Sequence, residues 1–282
     1  LSNKSNMKKS EDFTSTINLN ISDKELSNKQ LLGERKYHFV DDPISTLEET
    51  DNIFIKQVLE FGQLIGCYEV PNNYQIYFKN KSKNNFTLLF YAKEEDLGHC
   101  NKNCCKSSRR PSKMNVKHLV DTNINDNDFE SDLFVVFNRP YCSDKNCCSP
   151  QIKCHYNSTI GTIFGKVFSP LTCGNPIYQI LSRQDVVLYS ITTDCCQCTL
   201  ICGCPFQPVS FNIYKGDYRN LKEETPCGAI HKRILGVQDL SSSQENFEVV
   251  FPKDATADER LCILSAVFLI DFTEFERRER CS

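Results

Sequence analysis

The sequence contains no tryptophan and only 2 methionines. No stretch comes near the ~20 uninterrupted apolar residues that a membrane-spanning helix needs. The longest candidate, Leu261 to Ile270, stops at Asp271, with Asp258, Glu259 and Arg260 before it and Glu274 after it. Charge of one sign is not in excess either. Lys and Arg number 33 against 36 Asp and Glu, for a formal net charge of −3, so no broad basic face is expected and nucleic acid is not an expected partner. Residues 1–45 hold no apolar run of the secretory-signal type, and a leader is not expected there. Signatures of common catalytic sites are missing: there is no P-loop, no nucleophile elbow and no HExxH spacing, and a non-enzymatic role is expected. Cysteine, by contrast, is plentiful at 17. That number is odd, and its density lies below the roughly 8–10% of small disulfide scaffolds. Free, acylated or metal-bound thiols in a reducing compartment fit it.

With 40% hydrophobic and 11% aromatic residues the chain can bury a real core. Residues 1–45 are rich in Ser, Asn and Lys and read as a disordered tail, followed by an ordered domain over 46–278 and a short tail over 279–282. Within the domain, short runs rich in Ile, Val, Phe and Tyr recur between turn residues: 74–78, 86–91, 133–137, 160–168, 186–191, 209–214 and 247–251. This pattern predicts an antiparallel sheet or barrel rather than alternating strands and helices. Ile53 to Leu64 suits either an amphipathic helix or a strand pair. The basic segment Lys106–Lys117 and the acidic, Asn-rich segment Asp121–Asp132 read together as a long solvated loop inserted between strands.

The last element is a predicted helix. Acidic residues precede Leu261–Ile270, Phe272 and Phe275 carry the apolar pattern another turn, and Arg277, Arg278 and Arg280 follow, an order that complements a helix dipole. A helix that is apolar nearly all round must be buried. At ~1.5 Å per residue the uncharged run is only about 15 Å long, half a bilayer core. Burial inside protein is therefore expected, with Leu261, Leu264, Val267, Phe268 and Phe272 in the centre of a closed antiparallel β-barrel.

Several stretches together resemble the phospholipid scramblase family, whose fold is similar to that of tubby. The most specific are Asn246-Phe247-Glu248-Val249-Val250-Phe251-Pro252, then Phe268-Leu269-Ile270-Asp271-Phe272 and Phe275-Glu276. Shorter pieces fall in the same order: Arg139-Pro140 before clustered Cys, Gly161 to Gly165, Cys195 to Cys204, and Gly228 to Gly236. The resemblance covers roughly Leu47 to Glu276. It implies a mainly β, tubby-like closed barrel around a hydrophobic C-terminal helix, with Ile53–Leu64 as strand.

By the same resemblance Cys142, Cys147 and Cys148, with Cys154 the poorest match, stand where the family carries palmitoylated cysteines. One acyl chain binds membrane only marginally and two give a stable anchor, so clustered thiols suit that role. The calcium segment of the family corresponds to 243–254, where Glu245, Asn246 and Asp254 offer oxygens for a weak Ca2+ site. Cys195, Cys196, Cys198, Cys202 and Cys204, like Cys100, Cys104 and Cys105, do not form clean zinc knuckles, and zinc is not expected. His231-Lys232-Arg233 lies where some relatives have a nuclear-import segment and reads as a solvated strand end. The activity implied is calcium-dependent, ATP-independent, bidirectional movement of phospholipids between leaflets, by a protein anchored through acyl chains at the cytoplasmic face, the plasma membrane being expected. The alternative is an acyl-anchored module that binds lipid or protein and moves no lipid.

Overall fold

The computed structural model describes residues 40, 42–58, 71–80, 85–95, 111–119, 131–140, 150–156, 163–170, 175–193, 208–220, 225–233 and 246–275. A short helix α1, Pro43–Glu49, comes first. Asp42 caps it, accepting hydrogen bonds from the amides of Ile44 at 3.0 Å and Ser45 at 3.2 Å, and Pro43 occupies the first turn, where its missing N–H costs nothing. This helix reaches back across the boundary that composition placed at residue 45.

Twelve strands follow: β1 Asn52–Val58, β2 Asn73–Asn80, β3 Asn85–Glu94, β4 Ser112–Leu119, β5 Ser131–Arg139, β6 Gln151–Tyr156, β7 Ile163–Phe168, β8 Ile177–Ser182, β9 Val187–Thr192, β10 Val209–Lys215, β11 Gly228–Arg233 and β12 Asn246–Val250. Each pairs antiparallel with its neighbours in sequence, and β1 pairs with β12, from Asn52 opposite Val250 to Lys56 opposite Asn246, which closes the sheet into a barrel. The closed mainly β fold expected from the sequence is present. The strands alternate as the pleat requires; in β1, Ile53 and Ile55 are buried while Phe54 and Lys56 are half-buried.

The strand of Ser112–Leu119 corrects one expectation. Lys106–Lys117 does not read through as loop, because its second half is β4, with Ser112, Met114 and Val116 buried between the half-buried Lys113, Asn115 and Lys117. The lysines hid a two-residue period. Ile53–Leu64 is strand over Asn52–Val58, and its remaining residues lie outside those described.

Eight strands enclose a space that side chains alone can fill; twelve enclose more, and here a further element fills it. That element is α2, Ala257–Ile270, which continues into a π-helical turn over Asp271–Phe275. Every residue from Arg260 to Thr273 is buried, including Leu261, Leu264, Val267, Phe268 and Phe272. Phe268 meets the rings of Tyr74 (4.8 Å) and Phe137 (5.9 Å), from β2 and β5. On the side of β7 the approach is closer still: a Cβ placed on Gly165 would lie 2.3 Å from Cys262 Sγ, so only glycine lets the strand pass the helix there.

Candidate functional site

Both ends of α2 gather polar groups, and they do so differently. At its start Thr256 is the N-cap: its side chain accepts from the Glu259 amide at 3.4 Å, while the Glu259 carboxylate accepts from the Thr256 amide at 2.9 Å. Glu48 of α1 accepts from the amide of Ala257 at 3.3 Å. Arg260 is 4% exposed and donates to the carbonyls of Leu47 (2.7 Å), Ala255 (2.9 Å) and Thr50, tying α1 to α2. Tyr156 donates to Asp258, and Tyr189 donates to Glu259 at 3.2 Å. Burial, followed by the neighbouring carboxylates, holds both phenols above their ordinary pKa. A cavity of about 840 Å3 opens beside these groups, with Ile44, Glu48, Leu133, Phe134, Tyr156 and Asp258 among its walls.

At the far end the charges are buried. Asp271 is 1% exposed, accepts a 2.6 Å hydrogen bond from the Tyr74 phenol and lies 3.7 Å from Lys232 Nζ. That ammonium sits 3.4 Å from the ring centroid of Phe275 and 5.3 Å from that of Phe247. Arg139, also buried, lies over the ring of Phe272 at 5.6 Å. Tyr178 hydrogen-bonds with Thr273 at 2.6 Å and donates to Glu274 at 2.8 Å. The His231-Lys232-Arg233 stretch is thus not simply a solvated strand end: Lys232 points into the barrel and answers the carboxylate that interrupts the apolar run. A helix with these partners is a core element. Among the described residues no helix is long and apolar enough to cross a membrane.

The cysteines divide in two. Cys154 is buried inside the barrel, where its thiol donates to Ser265 Oγ at 3.2 Å, and it is no acylation candidate. Its contact with Cys262, together with burial, pushes the Cys262 thiol well up, so this sulfur stays protonated. Cys142, Cys147 and Cys148 lie outside the described residues, as do the cysteines of 100–105 and 195–204.

The three calcium candidates are not brought to one place by what is described. Glu245 lies outside the described residues, and Asn246 begins β12, opposite Lys56 and Arg233. Asp254 follows the other end of that strand, exposed and paired with Lys215, which holds its carboxyl below the usual range. At ~3.3 Å of rise per residue the strand sets Asn246 and Asp254 much further apart than two ligands of one ion held at ~2.3–2.6 Å. Among the described residues no group of three or more His, Cys, Asp or Glu is placed to hold a metal.

The π-turn and the cavity escaped sequence reasoning. The cavity joins α1, β5, β6 and the start of α2, which are far apart in sequence. Locally, the Asp42-Pro43 cap of α1 and the Thr256-x-x-Glu259 capping box of α2 carried a signal.

No solved structure matches the chain significantly. Among curated proteins it is 26% identical to phospholipid scramblase 2 of Homo sapiens over 235 residues, 82% of this chain and 69% of that protein. It is 28% identical to phospholipid scramblase 1 of Homo sapiens over 236 residues, 82% of this chain and 64% of that protein. Against phospholipid scramblase family member 5 of Homo sapiens the identity is 26% over 233 residues, 82% of this chain and 76% of that protein. The chain therefore spans roughly two thirds of the length of the first two relatives. The profile of the family described as Scramblase matches residues 36–277, the whole of the barrel with its central helix, and the chain belongs to that family.

Proposed function

We propose that this protein moves phospholipids between membrane leaflets, in both directions, without ATP and in response to calcium, while held at the cytoplasmic face by acyl chains on Cys142, Cys147 and Cys148. The family match over 36–277 carries this reading. No described cluster is assigned to calcium, so the ion's site is sought elsewhere in the chain.

Flipping of fluorescent lipids in proteoliposomes tests it, with and without calcium and against heat-denatured protein. Calcium-dependent flipping above the control is expected. Its absence, in protein shown to be folded and reconstituted, removes the transport reading. The anchor is tested by Cys147→Ala with Cys148→Ala. The expected result is a shift from membrane to soluble fractions with loss of hydroxylamine-sensitive label, and unchanged fractionation and label would remove it.

A second reading is favoured by one observation, the enclosure of α2. With Leu264 and Phe268 sealed inside the barrel, the apolar helix is not available to lipid tails, and a tethered module that recognises lipid or protein at the membrane surface fits this geometry. Thiol labelling of a cysteine substituted at Phe268 separates the two: protection from a membrane-impermeant reagent in detergent-free folded protein fits the enclosed helix, and rapid labelling contradicts it.

A further inference from the structure

The cavity at the N-terminal mouth of the barrel is walled in part by the rings of Phe134 and Tyr156, which belong to a longer aromatic series shaped by two irregularities in the strand ladders. Val116 pairs with Val135 and Lys117 with Leu133, which leaves Phe134 as a bulge; Cys154 pairs with Gly165 and His155 with Ile163, which leaves Phe164 as another. Bulges at a barrel rim re-aim side chains. Here the rings form a continuous series: Phe134 stacks on Phe90 at 5.3 Å and 14°, meets Tyr156 edge-on at 6.0 Å, and Tyr156 packs on Phe164 at 4.5 Å.

Facing this wall are the carboxylates of Glu48 and Asp258, each with a hydrogen bond from the protein, to the Ala257 amide and the Tyr156 phenol respectively. A helix N-terminus usually invites an anion through its unsatisfied amides. This one does not. The Ala257 amide is taken by Glu48, the Glu259 amide by Thr256, and the Thr256 amide by Glu259, while Arg260 is turned to backbone carbonyls. Among its described lining residues the cavity has no Lys, Arg or His, and Tyr156 spends its proton on Asp258. What remains is negative charge, acceptor oxygens and aromatic surface. A cation that needs few hydrogen bonds matches that set, because the negative face of a ring attracts a diffuse positive charge. A cavity of about 840 Å3 also exceeds what one ammonium group fills and falls within the ~300–1,000 Å3 of ligand sites.

We infer that this cavity takes the quaternary ammonium of a phosphocholine headgroup, with Phe134 and Tyr156 as its wall and Glu48 and Asp258 as its counter-charges. The choice of a phospholipid as source rests on the proposed function; the ammonium chemistry does not.

The test is titration of the purified full chain with free phosphocholine, followed by saturation transfer to its trimethyl protons. Saturable binding is expected, competed by tetramethylammonium and not by inorganic phosphate. Glu48→Gln combined with Asp258→Asn should weaken it at least tenfold, since both amides keep an acceptor for the existing hydrogen bonds while the charge is lost. Phe134→Leu, which leaves both carboxylates in place, should weaken it as well, and thermal unfolding establishes that each variant is folded. No saturable binding, equal binding by folded parent and double variant, competition by phosphate, or stronger competition by a lysine peptide than by tetramethylammonium would each overturn the inference. Phosphatidylcholine vesicles then test the source: they should bind the chain more than phosphatidylglycerol vesicles and release it when phosphocholine is added, and the opposite preference removes the lipid headgroup as occupant. Lipid flipping is read separately. Its loss with phosphocholine binding intact defeats the transport reading alone, and the converse defeats only the inference made here.

Discussion

The start and the end of the central helix solve the same problem in opposite ways. Both must satisfy polar groups at a break in an apolar element. At the start, a local element reaches the surface, since Thr256 and Glu259 form a reciprocal cap and Asp258 is exposed, and contacts from α1, β6 and β9 are added to it. At the end, Asp271 is buried and finds Tyr74 and Lys232 on strands distant in sequence. Local caps tolerate change and leave room for a ligand beside them. A buried pair fixes the helix against the barrel wall and leaves little room for anything else. The difference suits the inner end to holding the fold and leaves the outer mouth open for the ligand inferred above.

The sharpest way to break this contrast is Asp271→Ala. It takes the Asp271 carboxylate away from the buried Lys232 ammonium, and removal of one partner from a buried pair costs about 3–5 kcal/mol. Chemical denaturation should show a loss of that size, and Lys232→Met added to it should recover part, because the buried ammonium that lost this carboxylate is then gone. A loss no greater than that of a cap mutation would show that the two ends are equivalent after all.

How much of this was legible in the sequence follows from the range of each interaction. The all-round apolar character of Leu261–Ile270 is a local property, and it sufficed to place a buried helix within a barrel. The longer β-runs, such as 209–214, were legible for the same reason. Strands β4 and β6 were not, since Lys113, Lys117, Lys153 and His155 fill their outward positions and mask the alternation of Met114, Val116, Ile152 and Cys154. Lys232 looked like a member of a basic triplet. Only closure of the barrel turns it towards Asp271, and no pattern within either segment records that. The cavity is a further step removed, because its walls depend on bulges that skip Phe134 and Phe164.

The middle of the helix offers a smaller effect that asks whether the two ends share one register. Gly165→Ala drives a methyl group into Cys262 Sγ, and overpacking of this kind costs typically about 1–3 kcal/mol. The helix must shift or the strand must bow. Cys262→Ala in the same chain removes the obstructing sulfur and should restore much of the lost stability, measured by the denaturation midpoint. A double variant as unstable as Gly165→Ala alone would place the constraint in the Leu181 carbonyl, 3.2 Å from the added methyl, instead. At the outer end Thr256→Ala should cost about 1 kcal/mol, the usual worth of an N-cap, with the buried cluster around Asp271 left intact.

The smallest expected effect is the part of the pH dependence that belongs to the two phenols at the outer end. Tyr156 and Tyr189 have folded-state pKa values raised above the ordinary ~10, by burial first and then by Asp258 and Glu259. The unfolded chain therefore loses these protons before the folded chain does. Above about pH 10 the folded state binds more protons, and stability falls as pH rises further. These two phenols add nothing between neutrality and about pH 9; the alkaline loss that begins there comes from the buried Cys262 thiol, which is also held protonated and is common to parent and variant. Tyr156→Phe removes one of the two groups and should flatten the alkaline slope of the unfolding midpoint while leaving the neutral region little altered. An equally steep alkaline loss in this variant would move the titrating group away from the mouth of the barrel, and the contrast between a responsive outer end and a fixed inner end would lose its electrostatic half.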